Sequence, residues 1–331
     1  MANGRKKVTM VDIAREASVS QSTVSRVVNH YQGIEESKQR RVEDAMKRLG
    51  YEPPAAVDAP RKTVCLVICP LPEQRNILEM DFNIQVQEGV QAVLKAHGIN
   101  FMLLIQANST DALNLPPAKL RSIAGFIFLG SMENRRFLKE LERLQIPCVI
   151  ALGGISSMTA LNCDRILSDE FETAHIICDY LEAQGRRRLG FILSRIFAHR
   201  LDGFRLETMK RKNISLDEQD IVLLDTTDNE EHIEAAYRYA KRDNLPDVLI
   251  TSHHGAAVLI RSIFNFNGVR VPDDLLLFSY AHSERQNQLP CVLHRAYLLG
   301  YKAARRILEK FEDPGDVPCK ILIPSELINI K

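Results

Sequence analysis

Two rhythms of apolar and polar positions divide the chain. From Val8 to Tyr51 the apolar residues recur at helical spacing in three short stretches, and from Thr63 onward they gather into short continuous runs that alternate with helical stretches. In the first rhythm Thr9 is placed to cap a helix, with Asp12 at the third helical position reaching back as in a capping box and Ile13, Ala14 and Ala17 forming the apolar side. Ser18 occupies a turn position where Gly would sit more easily, so slight strain is expected there. Ser20 caps a second helix from Gln21 to Asn29, in which Val24, Val27 and Val28 form a buried stripe while Gln21, Ser22, Ser25, Arg26 and Asn29 lie opposite. A third pattern follows Gly33, with Val42, Ala45, Met46 and Leu49 at i, i+3, i+4 and i+7 and Gly50 placed to end it. Three packed helices displaying one polar helix face are predicted.

The second rhythm runs VCLVIC, a helix from Phe82 to His97, NFMLLIQ, a break, AGFIFLG, a helix from Phe137 to Leu144, and PCVIAL. A second round follows: DRILS, Glu172 to Ala183, RLGFIL, Leu201 to Lys212, DIVLL, Ile233 to Arg242, DVLITS, Ala256 to Phe266 and DLLLFSY. Strands alternating with helices of this length predict two similar α/β halves with parallel sheets. HRAYLLGYKAARRILEKFEDP reads as an amphipathic helix and VPCKILIPSELI as a last strand.

Composition adds an asymmetry rather than a class. The formal net charge is +1, but residues 1 to 62 hold 12 Lys/Arg against 8 Asp/Glu, so the basic end is the natural polyanion partner. No run of about 18 apolar residues occurs and no apolar signal core follows MANGRKKVTM, which predicts a cytoplasmic protein with no membrane association. The seven cysteines lie scattered through apolar runs without a CxxC pair and read as buried thiols, with Cys65 and Cys69 on one face of a strand. EPPAAVDAPRKT, rich in Pro and Ala, reads as a linker.

DIAREASVSQSTVSRVVN, followed by the third helix and LGYEP, resembles the headpiece of the LacI/GalR family of bacterial transcription regulators over more than forty residues. IPCVIA, EAQGRRRLGFIL, HRLDGFR, VRVPDDLLLFSY and the closing PSELI resemble, more loosely, the family's periplasmic-binding-protein-like core. The resemblance implies an all-α helix-turn-helix headpiece (1–51), a linker in the hinge position (52–62) and an α/β core of two parallel-sheet subdomains (63–331) that binds an effector in its cleft and dimerises. It implies a homodimer on a near-palindromic double-stranded operator, and Lys331 follows the last strand too soon for a tetramerising tail. It further implies that the helix from Gln21 enters the major groove with Gln21, Ser22 and Arg26 at base edges. Arg26 is suited to guanine O6 and N7 and Gln21 to adenine N6 and N7. Thr9 and Ser20 belong to the same DNA-facing region, and Thr23, Ser25, Asn29 and His30 are placed to anchor phosphates.

The linker departs from the family. Pro53-Pro54 and then Val57, Asp58 and Pro60 stand where a hinge helix and its minor-groove wedge are usual, so an ordinary hinge helix is not expected, although Val57 and Pro60 remain candidate wedges. In the cleft, Arg200 of HRLDGF matches the family's ligand-binding Arg, Phe82 its stacking aromatic, and Asp169 the Asp that opens the second half. An Asp pair of the family has become His253 and Ala281, with His282 adjacent. Imidazolium groups near Arg200 would favour an anion, so a sugar acid or sugar phosphate is the expected effector, the alternative being a site that has decayed or binds something unrelated. The same side chains offer two alternatives, a metal held by His253, His254, His282 and Asp169 and hydrolysis by Ser252 or Ser279 with His282; no cofactor, metal or catalytic residue is expected. The rival from another class is a small-molecule-binding or enzymatic protein with a vestigial headpiece.

Overall fold

The computed structural model describes residues 8–28, 34–51, 62–69, 81–106, 113, 115–130, 135–152, 163–281 and 289–329. Contacts divide the chain into two compact units, Met1–Arg61 and Lys62–Lys331. In the first, α1 (Met10–Glu16), α2 (Gln21–Val28) and α3 (Glu36–Leu49) enclose Ile13, Ala14, Ala17, Val24, Val27, Val42 and Ala45. The capping box at Thr9 and Asp12 forms, and α3 ends on Gly50 in the left-handed region (φ 63°), where a residue without Cβ costs least.

In the second unit β1 (Thr63–Ile68), α4 (Asp81–Ala96), β2 (Asn100–Ile105), a short α5 (Pro117–Arg121), β3 (Gly125–Leu129), α6 (Arg135–Arg143), β4 (Cys148–Ala151) and β5 (Asp164–Ser168) come first. Then follow α7 (Glu170–Ala183), β6 (Arg188–Ser194), α8 (Arg200–Lys210), β7 (Ser215–Leu224), α9 (Asn229–Ala240), β8 (Val248–Thr251), α10 (His254–Phe266) and β9 (Leu276–Ala281). The chain closes with β10 (Cys291–Leu293), α11 (Ala296–Glu312), β11 (Lys320–Ile323) and β12 (Glu326–Ile328).

Among the described residues there are two sheets, ordered β11-β5-β4-β3-β1-β2 and β12-β10-β9-β8-β6-β7. The pairings are parallel except for β12 against β10. Both faces of each sheet are covered, which is why the strands read as continuous apolar runs. Val64, Leu66 and Ile68 pack with α4 and α11, whereas Cys65, Val67 and Cys69 join α6 residues Phe137, Leu138 and Leu141 on the other face. In the second sheet Phe191, Leu193 and Ile250 pack with α7 and α8, and Ile192, Leu249 and Leu277 with α9 and α10.

Two expectations need correction, and one strand was not expected. DRILS forms β5 in the first sheet rather than opening the second, and the crossing to the second sheet comes one element later, at α7. VPCKILIPSELI is two strands in different sheets: Pro324 has no amide proton for a ladder, and the chain changes sheets there. CVL forms a strand, β10, that its three residues do not announce. The strand–helix rhythm gives the order of elements but not the sheet each joins. α11 follows β10 of the second sheet yet packs on the first, where Arg306 donates to buried Asp164 at 2.7 Å. No helix among the described residues is long and apolar enough to cross a membrane.

Candidate functional sites

In the first unit the turn between α1 and α2 places Ser18 at φ 51°, the left-handed strain expected where Gly would sit more easily. The Ser20 hydroxyl accepts from the Thr23 amide at 3.1 Å and lies 2.8 Å from both the Ser22 and Thr23 hydroxyls, so α2 starts on a polar, fully knitted cap. Val24 and Val27 turn inward, leaving Gln21, Ser22 and Arg26 exposed and Thr23 and Ser25 at the margin. The first turn of α2 carries no acidic side chain, so its positive end faces outward unneutralised, a favourable setting for phosphate. Asn29, His30, Val57 and Pro60 lie outside the described residues, as does the linker from residue 52 to 61.

In the second unit the C-terminal ends of β8, β9 and β10 meet the N-termini of α7 and α8. Arg200, the first residue of α8 and 4% exposed, donates from Nη1 to the Ser252 carbonyl at 2.7 Å. Its guanidinium lies between two rings, 3.7 Å from the centre of Tyr280 and 4.3 Å from that of Phe197. Glu170, the first residue of α7, holds Oε1 at 3.8 Å from Arg200 Nε and at 3.8 Å from His294 Nε2. Arg200 Nε, Glu170 Oε2 and Tyr280 Oη are buried without a hydrogen-bond partner. Burial pushes the Glu170 carboxyl above its ordinary value, against the pull of Arg200, and burial likewise pushes Tyr280 up. Two donors and an acceptor are thus held unsatisfied around one cation, an arrangement suited to a ligand carrying several oxygens.

Asp169 caps α7, accepting from the Glu172 amide at 3.0 Å. His253 caps α10, its Nδ1 accepting from the Ala256 amide at 3.2 Å. Burial pushes His253 down to about 4, with His232, Arg200 and His254 adding repulsion, and burial lowers His232 and His254 too. The expectation of imidazolium groups therefore needs correction. His253 is neutral at pH 7 because burial and the nearby Arg200 guanidinium disfavour its cation and its Nδ1 accepts a hydrogen bond from a backbone amide, so at this position the exchange of acid for imidazole adds no positive charge. His253 nevertheless stands beside Arg200, which holds the carbonyl of the preceding residue.

Phe82 is 5% exposed and packs in the first-sheet core with Val86 and Leu299. His282 lies outside the described residues. Glu170, Tyr280, Phe197 and His294, which surround Arg200 or its partner Glu170, are not singled out by the sequence; the one signal for Glu170 is its place next to Asp169. Ser252 is committed internally, its Oγ accepting from the Ser194 amide at 2.6 Å and lying 3.4 Å from His232 Nε2. Among the described residues no three His, Cys, Asp or Glu side chains converge as metal ligands.

Known proteins match both units. Residues 9–54 match the model of the bacterial regulatory proteins of the lacI family, and residues 178–329 match that of a periplasmic binding protein-like domain. The chain is 25% identical over 328 residues to catabolite control protein A of Priestia megaterium, covering 95% of this chain and 96% of that protein. It is 25% identical over 334 residues to catabolite control protein A of Staphylococcus epidermidis, covering 97% of each. A transcriptional regulator CelR–cellobiose complex superposes with a TM-score of 0.65 at 19% identity, covering 97% of this chain and 98% of that one. The lac repressor dimer bound to operator and the anti-inducer ONPF also gives 0.65, at 18% identity with 97% and 98% covered. The two solved structures are described as a transcriptional regulator and a repressor bound to its operator. With a headpiece of three helices ahead of two parallel-dominated sheets, the chain carries, in order, a match to the bacterial regulatory proteins of the lacI family and one to a periplasmic binding protein-like domain.

Proposed function

We propose that the chain is a DNA-binding transcription repressor, acting in the cytoplasm as a homodimer on a near-palindromic double-stranded operator and answering to a small metabolite in its core. The observation that carries this reading is the outward face of α2, where Gln21, Ser22 and Arg26 are exposed over a valine stripe at the end of the chain with excess basic charge. Gln21, Ser22 and Arg26 read base edges, and Thr9, Ser20, Thr23 and Ser25, together with Asn29 and His30, set the headpiece against phosphates. The accompanying division is headpiece 1–51, linker 52–62 with Val57 or Pro60 as wedge, and core 63–331.

Exposed apolar side chains support pairing: Ile84 on α4, Ile105 on the edge strand β2, and Tyr297 and Tyr301 on α11. Two headpieces would then address two half-sites. The test is purified protein against genomic fragments with competitor DNA. Retained fragments whose binding weakens steeply with salt support the reading, and binding that competitor abolishes supports the rival of a vestigial headpiece.

For the metabolite we favour a hydroxylated anion, a sugar acid or sugar phosphate, on Arg200 with Asp169, His253, Phe82 and His282 around it. Among the described residues Arg200 carries that preference, since burial lowers His253. A second reading, a neutral sugar, is favoured by the Glu170 carboxylate at 3.8 Å, which balances the guanidinium, and by neighbours described with cellobiose and ribose bound. Thermal-shift screening separates them: stabilisation by sugar acids or phosphates supports the first, and by neutral sugars alone the second.

A further inference from the structure

β4 and β5 run side by side with Val149 opposite Asp164. One position back on each lie Cys148, the first residue of β4, and Cys163, which directly precedes β5, so parallel pairing sets the two cysteines next to each other on one face. The two thiols are near enough that each is the largest influence on the other's titration. Cys319 stands instead beside Asp164, since β11 pairs with β5 through Lys320 and Arg165, and so belongs to the opposite face.

The surroundings make the two thiols unequal. The Cys148 thiol, donating to Cys163, and the Arg165 guanidinium pull Cys163 below its ordinary value against its burial, and Cys148 is raised well above. Arg165 Nε is buried with no hydrogen-bond partner, leaving its charge available to a neighbouring thiolate. Cys65, Cys69 and Cys178 contrast with this pair, each pushed up to about 12 chiefly by burial. Cys163 is 8% exposed and Cys148 somewhat more, which admits a small oxidant and little else.

We propose that Cys148 and Cys163 are a redox pair that closes to an intramolecular disulfide when the protein meets a hydroperoxide. The Cys163 thiolate attacks one peroxide oxygen, the O–O bond breaks, and the departing oxygen takes a proton and leaves as alcohol or water, with Cys163 oxidised to the sulfenic acid. The sulfur of Cys148 then attacks that of Cys163. The S–O bond breaks, the Cys148 proton leaves with the hydroxyl as water, and the S–S bond forms. Two thiols lose two electrons and the peroxide gains them. Because the partners already adjoin at the starts of paired strands, closure requires no strand to leave its sheet. The bond would fasten β4 to β5 and close the chain from 148 to 163 into a loop.

The test treats the reduced full chain with hydrogen peroxide, followed by denaturing alkylation, intact mass and peptide mapping. The expected result is a loss of about 2 Da, two fewer alkylated thiols and a linked pair of peptides containing Cys148 and Cys163, all reversed by dithiothreitol. Cys163→Ser is expected to abolish the link, and Cys148→Ser to leave a sulfenic acid on Cys163 that dimedone traps. Seven thiols still free after treatment, a bond through any other cysteine, or a persistent unlinked sulfenic acid in the unsubstituted chain would overturn the proposal.

Discussion

The Nε atom of Arg200 stands 3.8 Å from Oε1 of Glu170, too far for a hydrogen bond and close enough for each charge to govern the other. An anion arriving at Arg200 would bring a second negative charge to a carboxyl whose protonated form burial already favours. Ligand binding is therefore expected to take up a proton at Glu170. Affinity for a sugar acid should fall as pH rises through the Glu170 value of the free protein, by up to about tenfold per unit for one proton. Glu170→Gln, which cannot titrate, should flatten that dependence while retaining binding. Calorimetric titration in buffers of different ionisation enthalpy measures the proton uptake directly; zero uptake with a bound anion would disprove the coupling.

His253 and His199 each contribute an acid-side loss of stability. Both have folded values of about 4, His253 through burial and then His232 and Arg200, His199 through burial and then Arg200. The unfolded chain, with ordinary histidines near 6.5, binds more protons between those values, so stability present at pH 7 is lost as pH falls from about 6.5 to about 4. His253→Asn preserves an acceptor for the Ala256 amide and removes the titration. Urea unfolding at pH 7 and pH 5 should show a smaller acid loss in the variant, by roughly 1 kcal/mol after allowing for partial exposure. An identical loss in both would assign the acid sensitivity elsewhere.

Much of this was legible in the chain, and the parts that were not share a cause. The Thr9–Asp12 cap, the strain at Ser18, the valine stripe of α2 and the Gly50 stop follow from local rules, and each forms as those rules require. The alternation of strands and helices was equally plain, because both sheet faces are covered and the apolar runs are continuous. Sheet membership was hidden, since β5, α11 and β11 are assigned to the first sheet by contacts more than a hundred residues apart, such as Arg306 with Asp164. Arg200 could be named from its motif, but its surroundings could not. Glu170 and Tyr280 reach it from separate elements, with His294 against both of them, and the neutrality of His253 depends on burial that no local pattern encodes.

The crossing of α4 and α11 is set by glycine. A Cβ at Gly300 would lie 2.0 Å from the Val86 carbonyl oxygen, and one at Gly89 2.2 Å from that of Tyr297, so backbone meets backbone at both points. Gly300→Ala should push the helices apart and lower unfolding free energy by about 3 kcal/mol, offset only slightly by the helix propensity of Ala. The same substitution at Gly98, where a Cβ would meet nothing within 4 Å but φ is 65°, should cost about 1 kcal/mol through backbone strain alone. Equal midpoints for the parent and Gly300→Ala in urea would mean that the two helices are not held at this distance.

The DNA-reading role proposed for α2 is tested most directly by Arg26→Ala against a panel of double-stranded sites varied one base pair at a time, built on a fragment that the parent protein selects. The variant is expected to lose about 1–3 kcal/mol of discrimination at one base pair per half-site, while salt-dependent binding to unrelated DNA persists. Discrimination equal to the parent's at every position would contradict a base-reading Arg26, and with it the reading of the exposed face of α2 as the surface that finds the operator.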